Sequence, residues 1–167
     1  MSRLDYAIGR LKTCRVCIDH AIAEVGGLPG PILELGLGNG RTFDHLREAL
    51  PGRDIFVFEL EIAAHPDCIP DDDHLLLGDI ADTLPRAVER FAGQVPLIHA
   101  DVGSFDREIN AAIAAQIEPF VLQLVRPEGL VVTSVAFPNL QPYALPENTI
   151  PNTYFMYRPV RLNTIGH

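Results

Sequence analysis

The 167-residue chain is 47% hydrophobic and carries a formal net charge of −9. That length and apolar content suit one folded domain with a real core, and no apolar run is long enough to span a bilayer. The 13 basic residues are scattered and outnumbered by 22 acidic ones, so the chain lacks the basic face that binds phosphate backbones; nucleic acid and membrane are poor partners, and a neutral or cationic small molecule is a better one.

Ser2 to Val25 reads as an amphipathic helix. Ser2 and Asp5 have capping-box spacing, and Leu4, Ile8, Leu11, Ile18, Ile22 and Val25 recur at helical intervals. This start has no apolar signal core, which predicts a cytoplasmic protein. Cys14 and Cys17 lie three apart on the helix and, with Cys68, make an odd count. That argues against a disulfide framework, and small buried residues are their expected role. Gly26-Gly27 stops the helix and Pro29-Gly30-Pro31 turns the chain.

Strands and helices then alternate. Ile32–Leu35 is a short buried strand, Arg41–Leu50 a helix stopped by Pro51-Gly52, and Asp54–Glu59 a second strand. His65 to Asp73 is a polar loop with at most one helical turn. Its acidic run, Asp71 to Asp73, reads as solvated surface and not as a metal site. Leu75–Leu77 is a third strand ending at Gly78-Asp79, followed by a helix over Thr83–Phe91. Pro96–Ala100 is a fourth strand ending at Asp101. Ser104 is expected to cap a long helix to Val125, with Ile109, Ile113, Ile117, Phe120 and Leu124 on one face. After a turn at Arg126–Gly129, Leu130–Val135 forms a fifth strand. The tail from Ala136 is rich in proline and asparagine, and within it "YFMYR" suggests one more strand.

Short apolar strands separated by helices imply a mostly parallel sheet covered on both faces, a Rossmann-like doubly wound α/β domain with a helix at its N-terminal end. The expected division is a helix over 1–26, a ligand-binding core over 30–135 and an irregular tail over 136–167, all one domain. The ligand belongs at the carboxyl ends of the strands, where strand order reverses.

"ILELGLGNG" sits at that place, with Gly36, Gly38 and Gly40 at alternate positions. The dinucleotide fingerprint is G-x-G-x-x-G, and its third glycine would fall on Arg41. Glu34 at the end of the first strand would repel a pyrophosphate. A ligand bearing an ammonium and a sulfonium would be attracted instead.

These residues resemble motif I of the class I S-adenosyl-L-methionine-dependent methyltransferases. The likeness continues along the chain, over roughly residues 30 to 135. An acid ends the second strand (Glu59, 19 residues after Gly40), another follows the third ("LLLGDI", Asp79), a polar motif ends the fourth ("LIHADVG", Asp101), and "LVRPEGLVV" precedes the fifth. The compact organisation is similar to a small bacterial group of that family.

The resemblance implies S-adenosyl-L-methionine as cofactor and methyl transfer as activity. Gly36, Gly38 and Gly40, with Leu37, would let the backbone approach the cofactor, and Asn39 and Thr42 stand beside the turn. Glu34 would lie near the ammonium end. Glu59 would take the ribose hydroxyls, with Leu60 beside it and Glu61 as a competitor. Asp79 would bond the adenine amino group or cap the following helix, with Gly78 and Ile80 as walls. Asp101 would hold the ammonium, orient the acceptor or take its proton; it shares a strand side with His99, which reads as a core histidine. Tyr6 is expected over the ligand, and Tyr143, Tyr154 and Tyr157 around an acceptor pocket. The acceptor is expected to be a small molecule, and an apolar tail makes self-association plausible. Two other readings stay open: a non-catalytic S-adenosylmethionine-binding sensor or accessory protein, and an NAD(P)-binding oxidoreductase.

Overall fold

A computed structural model describes residues 1–161. Its elements are α1 (Arg3–Val25), β1 (Ile32–Leu35), α2 (Arg41–Ala49), β2 (Ile55–Glu59), a single 3₁₀ turn at Pro66–Cys68, β3 (Leu75–Leu77), α3 (Ile80–Phe91), β4 (Val95–Ala100), α4 (Arg107–Leu124), β5 (Val125–Thr133), β6 (Leu140–Tyr143) and β7 (Phe155–Arg161). They form one seven-stranded sheet in the order β3-β2-β1-β4-β5-β7-β6. Strands β1 to β5 pair in parallel, and β7 runs antiparallel to both neighbours. Among the described residues no helix is long and apolar enough to cross a membrane.

Every residue of β1 and β4 is buried, as central parallel strands covered on both faces require. Leu33, Leu35, Phe58 and Ile98 pack toward α3 and α4. Ile32, Val57, Leu97 and Val132 pack toward α1 and α2. The chain winds outward from β1 through β2 to β3, then returns past β1 to β4 and β5. Strand order therefore reverses between β1 and β4, which leaves a crevice at their carboxyl ends.

Several elements depart from the sequence reading. Helix α3 starts at Ile80, three residues before the expected Thr83, because Asp79 caps it by accepting from Ala81 N at 2.8 Å. Helix α4 is capped by Asp106 and not by Ser104: Asp106 Oδ1 accepts from Glu108 N and Ile109 N, while the Ser104 hydroxyl serves the turn before it. Pro119 lies within α4, which continues through it to Leu124. The expected turn at Arg126–Gly129 is the irregular start of β5, where pairing steps from Val95–Val125 to Leu97–Leu130.

The apolar stripe of α1 is only half internal. Ile18 and Val25 are in the core, but Leu4, Ile8 and Leu11 are 69%, 44% and 45% exposed. In the tail, the strand expected at "YFMYR" is β7, and β6, which was not expected, pairs with it as a hairpin on the sheet's edge. Glu118, buried on α4, anchors it by accepting from Asn139 N and Nδ2, both at 2.8 Å.

Candidate functional site

The glycine turn joins β1 to α2 at the crevice. Gly36 has φ 90°, and a Cβ there would come within 2.8 Å of the Asp101 carbonyl oxygen. Gly40, the N-cap of α2, has φ 80°, and its Cβ would meet Cys68 Cβ at 2.5 Å. Both positions need a left-handed backbone and no side chain, so the turn is pressed against the end of β4 at Gly36 and against the 3₁₀ turn at Gly40.

Glu59, at the end of β2, faces this turn. Its Oε2 accepts from Leu37 N (2.8 Å) and Gly38 N (3.0 Å), and its Oε1 accepts from Leu60 N (2.8 Å). In a dinucleotide site such glycine-loop amides would hold the pyrophosphate. Here the protein's own carboxylate takes them. A carboxylate offers about four acceptor positions, so Oε1 keeps capacity for a hydroxyl.

Beside it lies a cavity of about 280 Å³, lined by Gly36, Glu59, Leu60, Gly78, Asp79 and Ile80, with Val102, Ile113 and Gln116 closing it from the β4–α4 side. Asp79 caps α3 and also lines this cavity, so the two expected roles do not compete for position. A second, larger cavity of about 1060 Å³ opens on the other side of the β4 carboxyl end, between α1 and the turn before α4. Asp101 and Gly103 line the large cavity and Val102 the small one, so three consecutive residues separate them.

Asp101 is ion-paired with Arg10 from α1. Burial works against the Asp101 charge, but the Arg10 guanidinium, and then His99, hold its carboxyl below the usual range. It is therefore an ionised acceptor of hydrogen bonds and a weak proton acceptor.

Glu34 is not in the crevice. Its side chain is 1% exposed and lies under α1, where His99 Nδ1 donates to Oε2 at 2.8 Å and His99 Nε2 faces Cys14 Sγ at 3.7 Å. Burial pushes the Glu34 carboxyl up. Burial also opposes a charge on His99, yet Glu34 and then Cys14 hold the imidazole well above the ordinary histidine range. The ring of Tyr154 stacks on His99 with centroids 6.0 Å apart. Burial, then Cys14 and Asp101, push its phenol up. Cys17 is likewise pushed up to about 12, by burial and then by Cys14, and both cysteines of the CxxC pair are buried in the core.

Other expected residues are dispersed. Asn39 is exposed and lines neither cavity, and Thr42 faces a shallow depression between α1 and α2. Gly38 and Leu37 meet Glu59 through their amides. Glu61 is an exposed residue beyond the strand end that lines neither cavity. Tyr6 does line the large cavity. Tyr143, Tyr154 and Tyr157 do not, and the tail contributes Asn152 and Thr153 instead. Arg10 was not legible because its partner lies 91 residues away; a basic residue on a helix is normally just a solvated face. Val102 and Gly103 could have been read as the continuation of "HADVG" past the strand end.

A family model described as S-adenosyl-L-methionine methyltransferase matches residues 1–159. The chain belongs to this family. A crystal structure of an S-adenosyl-L-methionine methyl transferase from Silicibacter pomeroyi DSS-3 is 44% identical, with a TM-score of 0.88 over 96% of this chain and 99% of that one. Human methyltransferase-like protein 13, solved in complex with SAH, is 15% identical with a TM-score of 0.56 over 94% of this chain and 83% of that one. The MycE methyltransferase of the mycinamycin biosynthetic pathway, solved with Mg and SAH, is 13% identical with a TM-score of 0.57; 96% of this chain aligns with 49% of it. The last two likenesses concern the fold alone. No curated protein matches this chain by sequence.

S-adenosyl-L-methionine is therefore the cofactor, and the nicotinamide reading falls. At the glycine turn itself, the carboxylate that takes the backbone amides is Glu59.

Proposed function

We propose that this methyltransferase moves the methyl group of S-adenosyl-L-methionine to a small molecule held in the large cavity. The observation that carries the reading is the arrangement of two cavities on either side of Asp101–Gly103, one small and acidic, one large and open to α1. The small cavity suits the nucleoside. Glu59 Oε1 would accept from a ribose hydroxyl, the free side of Asp79 would accept from the adenine amino group, and Ile80 would pack on the ring. Gly36, which lines the small cavity, would lie beside the cofactor's chain as it runs toward the large cavity.

The bound cofactor supplies an already activated methyl on a sulfonium. The protein's part is to align an acceptor with it and to keep water away. Asp101, ionised and pinned by Arg10, would hold the cofactor's ammonium group or a donor group of the acceptor in place. Its lowered pKa makes orientation a better role for it than proton removal.

Calorimetric titration with S-adenosyl-L-methionine tests the placement. Wild-type protein should bind in the micromolar range, and Glu59→Ala should weaken binding about ten-fold or more, the scale of one or two lost buried hydrogen bonds. An unchanged affinity in Glu59→Ala would put the nucleoside elsewhere. Turnover is tested separately, by incubating pure protein and methyl-labelled cofactor with a low-molecular-weight cell extract. Label should appear in a new small molecule. Binding without any transfer, across extracts from several sources, would favour the sensor reading.

A further inference from the structure

The two cavities differ in charge as well as in size. The small one carries Glu59 and Asp79 and no cation. The large one carries Arg3, Arg10 and Arg41 against a single carboxylate, Asp101. In a chain with 22 acidic and 13 basic residues, three guanidiniums on one cavity reverse the overall balance. Arg10 is committed to Asp101. Among the described residues, Arg3 and Arg41 make no ion pair, so neither guanidinium is already taken by a carboxylate of the protein. Arg41 comes from the first turn of α2 and Arg3 from the first turn of α1. Two unconnected helix starts therefore direct a fork-shaped cation at one space.

The same cavity has an apolar side. Tyr6 and Leu11 line it from α1, and Phe105, which is 99% exposed, stands at its other edge.

Resting on the two-cavity reading above, we propose that the methyl acceptor is a small organic anion: an apolar or aromatic body bearing a carboxylate or phosphate. Arg3 and Arg41 grip its charged group, and Tyr6, Leu11 and Phe105 face its body. A guanidinium matches both oxyanions with two parallel N–H donors, which a neutral acceptor would leave unused. The anion sits away from Asp101, so its nucleophilic end points to the β4 carboxyl end, where the cofactor's methyl is delivered. The net negative charge of the molecule would hinder entry of such a substrate, and the arginine group offsets that locally.

The test uses intact protein saturated with S-adenosylhomocysteine and three probes that share one ring: benzoate, phenyl phosphate and benzyl alcohol. At least one anion should bind ten-fold or more tightly than the alcohol, and whichever anion binds better identifies the headgroup. The double substitution Arg3→Gln/Arg41→Gln, at two exposed positions, should abolish that preference while changing S-adenosyl-L-methionine affinity by less than about two-fold. Three results would overturn the proposal. One is equal binding of all three probes, and a second is an anion preference that survives the double substitution. The third is a matching loss of cofactor affinity, which would mean that the arginines hold the cofactor's own carboxylate. A wild-type protein that binds neither cofactor nor its product would overturn the underlying cavity assignment itself, a result the cofactor titration identifies on its own.

Discussion

Glu34 is a residue that is conspicuous in the sequence while its partner, His99, is not. An acid inside "ILEL" is conspicuous because it ends a buried strand, and a ligand is one way to satisfy it. The other way is a partner on the next strand, and β1 pairs with β4 so that Glu34 stands beside His99. That register links residues 65 apart, which no local pattern reveals. Both side chains are almost wholly buried. Removing one partner leaves the other's polar atoms dry and unpaired, so Glu34→Ala should cost about 3–5 kcal/mol. The double substitution Glu34→Leu/His99→Leu should recover most of that loss, because an apolar pair of similar volume needs no partner. Chemical denaturation of Glu34→Leu, His99→Leu and the double variant checks this. Additive losses would show that the pair does not act as a unit.

At the scale of elements, the sequence was most legible where periodicity and punctuation agreed. Strands β1 to β4 and the body of each helix follow from apolar runs bounded by glycine and proline. The acids at the ends of β2, β3 and β4 fall where expected, and Glu59, Asp79 and Asp101 do reach the cavities. Helix starts were less legible, because several polar residues compete for each cap. "DVGSFDRE" offers both Ser104 and Asp106; the aspartate wins with two amide bonds to the helix. Asp106→Ala should therefore destabilise the domain by about 1 kcal/mol, lowering the thermal midpoint by about 2–4 °C for a domain of this size. Ser104→Ala should have a smaller effect, and thermal melts of both variants decide between the two caps. Strand β6 was missed for a different reason. Pro142 lies within "LQPY", and proline demotes a strand unless it lies on an edge. In this sheet β6 is the outermost strand, so the missing N–H costs no ladder bond on its open side. The exposure of the outer half of α1 is not legible, because periodicity reports amphipathicity and not what covers the apolar side.

For the molecule as a whole, the first and last described elements lean on each other. Thr13 of α1 accepts from Ile150 N at 2.9 Å, and Ile150 fills the space left by Gly9. Tyr154 is wholly buried against His99, and Arg10 lies over its other neighbourhood at 5.2 Å from the ring centroid. The core beneath α1 is thus shared by residues near both ends of the chain. A protein ending at Thr149 should lack a cooperative thermal transition, since it would lose β7 and leave β5 with an unpaired edge and an open apolar face. A sharp transition in that truncated protein would show the hairpin to be dispensable.

The order β5-β7-β6 also dictates a timetable during synthesis. When β6 leaves the ribosome it has no strand to join, because its place in the sheet is reached only through β7. Each of β2 to β5 can pair with an earlier strand as it emerges, β4 returning to β1, but α1, made before them, has no completed floor until Tyr154 and Met156 arrive among the last described residues. Between the emergence of β5 and that of β7 the nascent chain carries five paired strands and an incompletely covered helix, and a waiting apolar surface of that kind is what chaperones engage. Closure of the domain is thus a late event, and the cavity edge formed by Asn152 and Thr153 is completed in that same step.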